Sequence, residues 1–127
     1  MRHWYMHSTA MFDFSRIQNY YIQTGYTDMR LHIDGLVAKV QLEYGRQLEE
    51  TSIFIFCGRK ADRIKAIYWD GTGYILLDQR LDELRFQWPR NENELKLLTK
   101  QQFRWLMEGL SIAPKNAFKP GKPGTVF

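Results

Sequence analysis

The sequence predicts an α+β domain, a mostly antiparallel sheet of four to five strands with two main helices packed on one face of it. Three observations carry that reading. Ser52 to Cys57 (SIFIFC) is a compact apolar run, long enough for a buried central strand. Asp70-Gly71-Thr72-Gly73 joins two strand-like runs, and Asp-Gly at such a junction is a strong hairpin signal because these residues accept positive φ. Thr99, with Gln102 three residues later, forms a capping box ahead of an apolar stripe at helical spacing.

Taken in order, residues 1–10 show no periodicity and are read as a disordered extension. Ile17 to Gln23, short and aromatic, is a strand with Gly25 after it. Thr27 and Asp28 offer N-cap oxygens to a helix expected over 28–44. Met29, Ile33, Leu36, Val37, Val40 and Tyr44 fall on one face of that helix, and Gly45 fits the left-handed position that ends it. Ser52 to Cys57, Arg63 to Trp69 and Tyr74 to Asp78 supply three strands. Leu84, Phe86 and Trp88 alternate with Arg85 and Gln87, predicting a half-buried strand closed by Pro89. Asn91 to Leu98 reads as a polar connection, and the last helix is expected over 99–108, with Phe103, Leu106, Met107 and Leu110 as its stripe and Gly109 at its end. Pro114, Pro120 and Pro123, with Gly121 and Gly124, exclude regular structure from a basic tail at 113–127, so residues 11–112 form the one expected domain.

A chain of 127 residues that is 44% hydrophobic has enough apolar side chain for a real core. No apolar run approaches the ~20 residues of a membrane-spanning helix, and the first residues lack a signal-peptide pattern, so a cytoplasmic protein with no membrane partner is expected. A single cysteine, Cys57, excludes an internal disulfide and a thiol-rich zinc site.

Asp70 and Asp78 bracket one hairpin and Asp28 starts a helix, and two of these have strong structural explanations: Asp70 the turn and Asp28 the cap. A metal-binding acidic cluster is therefore not expected. His3 and His7 have chelating i, i+4 spacing, but nothing predicts a helix there, so neither a metal site nor a cofactor is expected. The net charge of +4 is compatible with nucleic acid without requiring it. Its distribution is more informative, since Arg59, Lys60, Arg63 and Lys65 stand against Asp62 alone. Arg63, Lys65 and Trp69 share strand parity, which puts two cations and an indole on one face. Such a cluster neutralises phosphates with an aromatic nearby to stack. Equally, Lys and Arg on a solvated edge discourage strand-to-strand aggregation. Composition leaves both readings open.

Several clusters then stand in a telling order: Thr27-Asp28-Met29-Arg30, Asp34-Gly35-Leu36, Ile53-Phe54-Ile55-Phe56 with Gly58-Arg59, Asp62-Arg63-Ile64-Lys65, Tyr68-Trp69-Asp70-Gly71-Thr72-Gly73, Arg80-Leu81, Phe86-Gln87-Trp88-Pro89 and Leu106-Met107-Glu108-Gly109. Over residues 11–110 the chain resembles the TnpB accessory protein of the "IS sixty-six" group of bacterial insertion sequences. The resemblance implies a protein of transposition working beside a separate transposase, and it brings no catalytic residues with it. It favours a DNA contact for Arg59, Lys60, Arg63, Lys65 and Trp69. It also adds Arg30, for which a structural pairing with Asp28 or Asp34 stands as the alternative. Two functions are consistent with this: a non-catalytic DNA-binding helper acting at element ends, and a protein-binding adaptor of the transposase that does not touch DNA.

Overall fold

Every residue of the strand Ser52–Cys57 is buried, and the rest of the fold is arranged around it. The computed structural model describes residues 14–109 and 111–112. Five strands, β1 (Asn19–Gln23), β2 (Ser52–Cys57), β3 (Arg63–Trp69), β4 (Tyr74–Arg80) and β5 (Leu95–Leu98), form one sheet in the order β4-β3-β2-β1-β5. The helices are α1 (Ile33–Ala38), which runs on into a π-helical turn over Lys39–Glu43, and α2 (Lys100–Met107).

The sheet is mostly antiparallel, as its tight turns require, with one exception. β1 and β2 run parallel, from Asn19 opposite Ser52 to Ile22 opposite Ile55. Parallel neighbours need a crossover connection, and α1 lies within it. The β3–β4 hairpin is closed by Asp70, whose Oδ1 accepts from the backbone N–H groups of Thr72 and Gly73 at 2.8 and 2.9 Å. Gly71 takes φ +98 in that turn, the conformation for which a residue without Cβ is suited.

The period of two along β2 sends alternate side chains to opposite layers. Phe54 and Phe56 pack with Leu36, Val37 and Val40 of the α1 side. Ile53, Ile55 and Cys57 pack with Phe103, Leu106 and Met107 of α2. The helices therefore cover opposite faces, which corrects the expectation of helices on one face. A strand apolar at five consecutive positions, Ile53 to Cys57, demands cover on both sides, because each large apolar side chain gains about 1.5–3 kcal/mol from burial.

Three further expectations are corrected. The first helix begins at Ile33 rather than near Asp28. Asp28 instead closes a turn of its own, accepting from Arg30 N at Oδ1 and from Leu31 N at its carbonyl. His32 is extended, and the first helical bond runs from Leu36 N to His32 O. Thr27 does not cap either; its hydroxyl accepts from Gln23 Nε2 at 3.0 Å.

Residues 84–88 are not a strand. Phe86 and Trp88 are buried as the alternation implies, but they reach the core from an irregular segment. Phe86 N donates to Ala61 O at 2.7 Å, and Trp88 Nε1 donates to Gln23 O at 2.8 Å. The fifth strand is Leu95–Leu98, inside the expected polar connection, where it pairs antiparallel with Tyr20 to Gln23.

The other helix ends agree with the sequence. Thr99 and Gln102 form the full capping box, Gly109 follows α2 at φ +83, and Gly45 ends the first helical segment at φ +65. Cys57 is a buried free thiol. The 1–10 extension, the 113–127 tail and Leu110 lie outside the described residues.

Candidate nucleic-acid interface

Two links converge at one end of the sheet. One is the turn between β1 and α1, carrying Tyr26 to Arg30. The other is the loop from β2 to β3, carrying Gly58 to Asp62. Together with Arg63 and Arg80 from the paired ends of β3 and β4, they line a cleft of about 680 Å³. Five cations, Arg30, Arg59, Lys60, Arg63 and Arg80, face two carboxylates, Asp28 and Asp62, around it.

The loop keeps its shape through backbone bonds. Ala61 sits at φ +58, a left-handed conformation that costs a non-glycine residue roughly 1–2 kcal/mol. Its N–H donates to Gly58 O, its carbonyl accepts from Phe86 N, and Leu81 N closes on Asp62 O. Gly58 allows the two links to touch, since a Cβ there would lie 2.6 Å from Cγ of Met29.

The cations divide into held and free. Arg63 makes two bonds to the Asp78 carboxylate, Nε to Oδ1 at 3.0 Å and Nη2 to Oδ2 at 2.7 Å. Arg30 grips Asp28 in the same fashion, with Nη2 to Oδ2 at 2.9 Å, although its side chain is 91% exposed. That guanidinium holds the Asp28 carboxyl down at about 2. The structural alternative for Arg30 is thus observed, with Asp28 as the partner. Arg59, Lys60 and Arg80 are exposed and form no ion pair among the described residues.

Lys65 departs from expectation. Its parity with Arg63 is correct, but the face is roofed rather than open, and the residue is only 1% exposed. Nζ donates to Met29 O and Leu31 O, both at 2.8 Å, and lies 3.3 Å from His32 Nδ1. Burial lowers its pKa, with the nearby Asp78 opposing. Lys65 therefore ties the turn that carries Arg30 to the sheet, and its ammonium is not available to a ligand. Trp69, at the far end of β3, is half-buried with its ring 4.9 Å from that of Tyr74, and does not line the cleft.

Three residues outside the sequence-based set complete the arrangement. Arg80 stands opposite Arg63 across the hairpin. Tyr26, 41% exposed, has Arg59 Cζ 5.1 Å and Arg90 Cζ 4.4 Å from its ring centroid. The hairpin register, fixed by the Asp70-to-Gly73 turn, was the signal available for Arg80; Tyr26 and Arg90 carried no local one.

A small sheet domain between two helices thus carries, largely on its loops, a cleft in whose lining cations outnumber carboxylates five to two. No group of three His, Cys, Asp or Glu side chains among the described residues is arranged to hold a metal ion. No helix among them is long and apolar enough to cross a membrane.

Residues 18–117 match the family model of the IS66 Orf2 like protein, and the chain belongs to that family. It is similar to two proteins of Sinorhizobium fredii that carry the description uncharacterized. The first, y4hO, is 33% identical over 105 residues, covering 82% of this chain and 91% of the relative. The second, y4jC, is 32% identical over 89 residues, covering 70% and 76% respectively. No solved structure matches. Membership of the family makes this an insertion-sequence accessory protein, associated with the transposition machinery.

Proposed function

We propose that the chain is a non-catalytic helper of its element's transposase that binds DNA through the cleft. The observation that supports this is the convergence of Arg59, Lys60 and Arg80, all exposed and unpaired by carboxylates, on one recess within the family-matched segment. Arg30 and Arg63, each paired with a carboxylate, belong to its walls. Lys65 acts indirectly, by holding the wall.

The test is a titration of labelled element-end and scrambled DNA, each blunt and with an unpaired tail, at about 50 and 200 mM salt. Affinity should fall steeply with salt and depend little on sequence. Replacing Arg59, Lys60 and Arg80 together by Ala should reduce the log–log salt slope by about 0.7–0.9 per lost phosphate contact, or roughly two to three in all. Absence of binding to any of these DNAs at the lower salt ends the reading for this protein. The adaptor reading draws on a separate observation, Leu97, which is 55% exposed on the edge strand β5. It gains if the triple variant loses nothing on DNA while a Leu97→Lys variant loses the transposase in a pull-down.

A further inference from the structure

We infer that the cleft takes single-stranded rather than duplex DNA, with phosphates on the loop cations and a base against the Tyr26 layer. This rests on the DNA-binding reading and narrows it.

The first ground is shape. Proteins read a duplex by projecting a helix or a two-stranded ribbon into a major groove about 12 Å wide. Here the cations line the walls of a recess. The nearby helix α1 is six residues long and begins only after the Arg30 turn. The β3–β4 ribbon ends in Asp70, Gly71, Thr72 and Gly73, a tip without a cation. Helix α2 does carry exposed Lys100 and Arg104, but it packs on the other face of the sheet. A recess of about 680 Å³ lies within the range of small-ligand sites, so it suits a few nucleotides of flexible strand better than a stiff convex helix.

The second ground is the flat layer at the rim. Phosphate neutralisation needs only cations. Tyr26 lines the cleft, yet it also has guanidinium carbons 5.1 and 4.4 Å from its ring centroid. Aromatic rings and guanidinium planes are the surfaces on which unpaired bases stack, and bases become available only when they have left the duplex. Lys60 and Arg80 beside that layer, with Arg59 within it, reproduce the combination of basic groove and stacking platform that single-strand binders use.

The experiment is fluorescence anisotropy with the full chain, using labelled oligothymidylate of about 12 nucleotides and its duplex with oligodeoxyadenylate. The single strand should bind at least about tenfold more tightly. Tyr26→Ala should weaken single-strand binding roughly 5- to 150-fold, the range for one lost stacking contact. Tyr26→Phe should retain it, and neither change should alter duplex binding. Ring proton resonances of Tyr26 in the unaltered protein should shift on adding the oligonucleotide, which keeps the test open if the Ala variant fails to fold. Equal or tighter duplex binding, or a Tyr26 ring that does not respond, overturns the inference while leaving DNA binding intact. Failure of both DNAs to bind at low salt removes the inference and the reading beneath it.

Discussion

Replacing Lys65 by Met removes one buried ammonium and keeps most of its stem, so it isolates what the charge does. Two opposing effects must be weighed. The ammonium donates to Met29 O and Leu31 O, and removing it leaves both carbonyls without that donor, at about 1–3 kcal/mol each, or roughly 2–6 together. Against this, a residue 1% exposed has lost nearly all its hydration, a cost of several kcal/mol that Met does not bear. The depressed pKa of Lys65, with burial as its largest cause, points the same way. The two nearly cancel, so global stability should fall by only about 1–2 kcal/mol. The local effect has no such compensation. Arg30 N and Leu31 N are both bonded within the tied turn, so their exchange protection is measurable. In Lys65→Met that protection should drop roughly 10- to 100-fold while β2 amides follow only the global change. DNA affinity should weaken with an unchanged salt slope, because no phosphate contact is removed. Hydrogen exchange by NMR alongside urea denaturation reads both quantities. Global destabilisation beyond about 4 kcal/mol, or unchanged protection at Arg30 and Leu31, would refute the reasoning.

Two further predictions concern stability. Burial pushes the Cys57 thiol up to about 12 from an ordinary 9.0. A raised folded pKa means the unfolded chain loses its proton first, so this contribution is complete below pH 9.0 and declines as pH rises toward 12. Between about pH 8 and 10.5 the unaltered protein should lose roughly 2 kcal/mol more than Cys57→Ala in urea denaturation; parallel pH profiles would remove the argument. Thr99→Ala deletes the hydroxyl that accepts from Gln102 N at 3.0 Å and should cost about 0.5–2 kcal/mol, with thermal unfolding as the measure. Loss of less than that range would mean water replaces the cap without penalty.

Local chemistry was legible wherever a short stretch of sequence determined it. The Asp70 turn, the Thr99 capping box and the apolar continuity of Ile53 to Cys57 each specify their outcome within a few residues. What failed depended on distant partners. Nothing near Asp28 signals that its turn will be pinned by Lys65 of β3, so the unbroken helical period from Met29 predicts one helix. Alternation at Phe86 and Trp88 correctly reported burial but not pairing, because the edge of β1 was taken by Leu95–Leu98 instead. The same limit shaped the site. Arg59 and Lys60 form a local cluster in the sequence, whereas Tyr26 meets Arg59 and Arg90 only through the fold.

The division of cations into held and free explains how a basic recess is compatible with a stable fold. Like charges crowded at one end of a sheet repel, and each must be offset or left in water. Arg63 and Arg30 are offset by Asp78 and Asp28, and Lys65 by backbone carbonyls, so these three fix the walls at little electrostatic cost. Arg59, Lys60 and Arg80 stay exposed, where solvent screens their mutual repulsion until an anion arrives. An anion entering the recess meets walls already ordered by the first set and charge still unspent in the second. On the proposed function, Lys65 would hold the wall without touching a ligand while Arg80 would meet it directly, so the two should respond differently to substitution although both are cations on one hairpin.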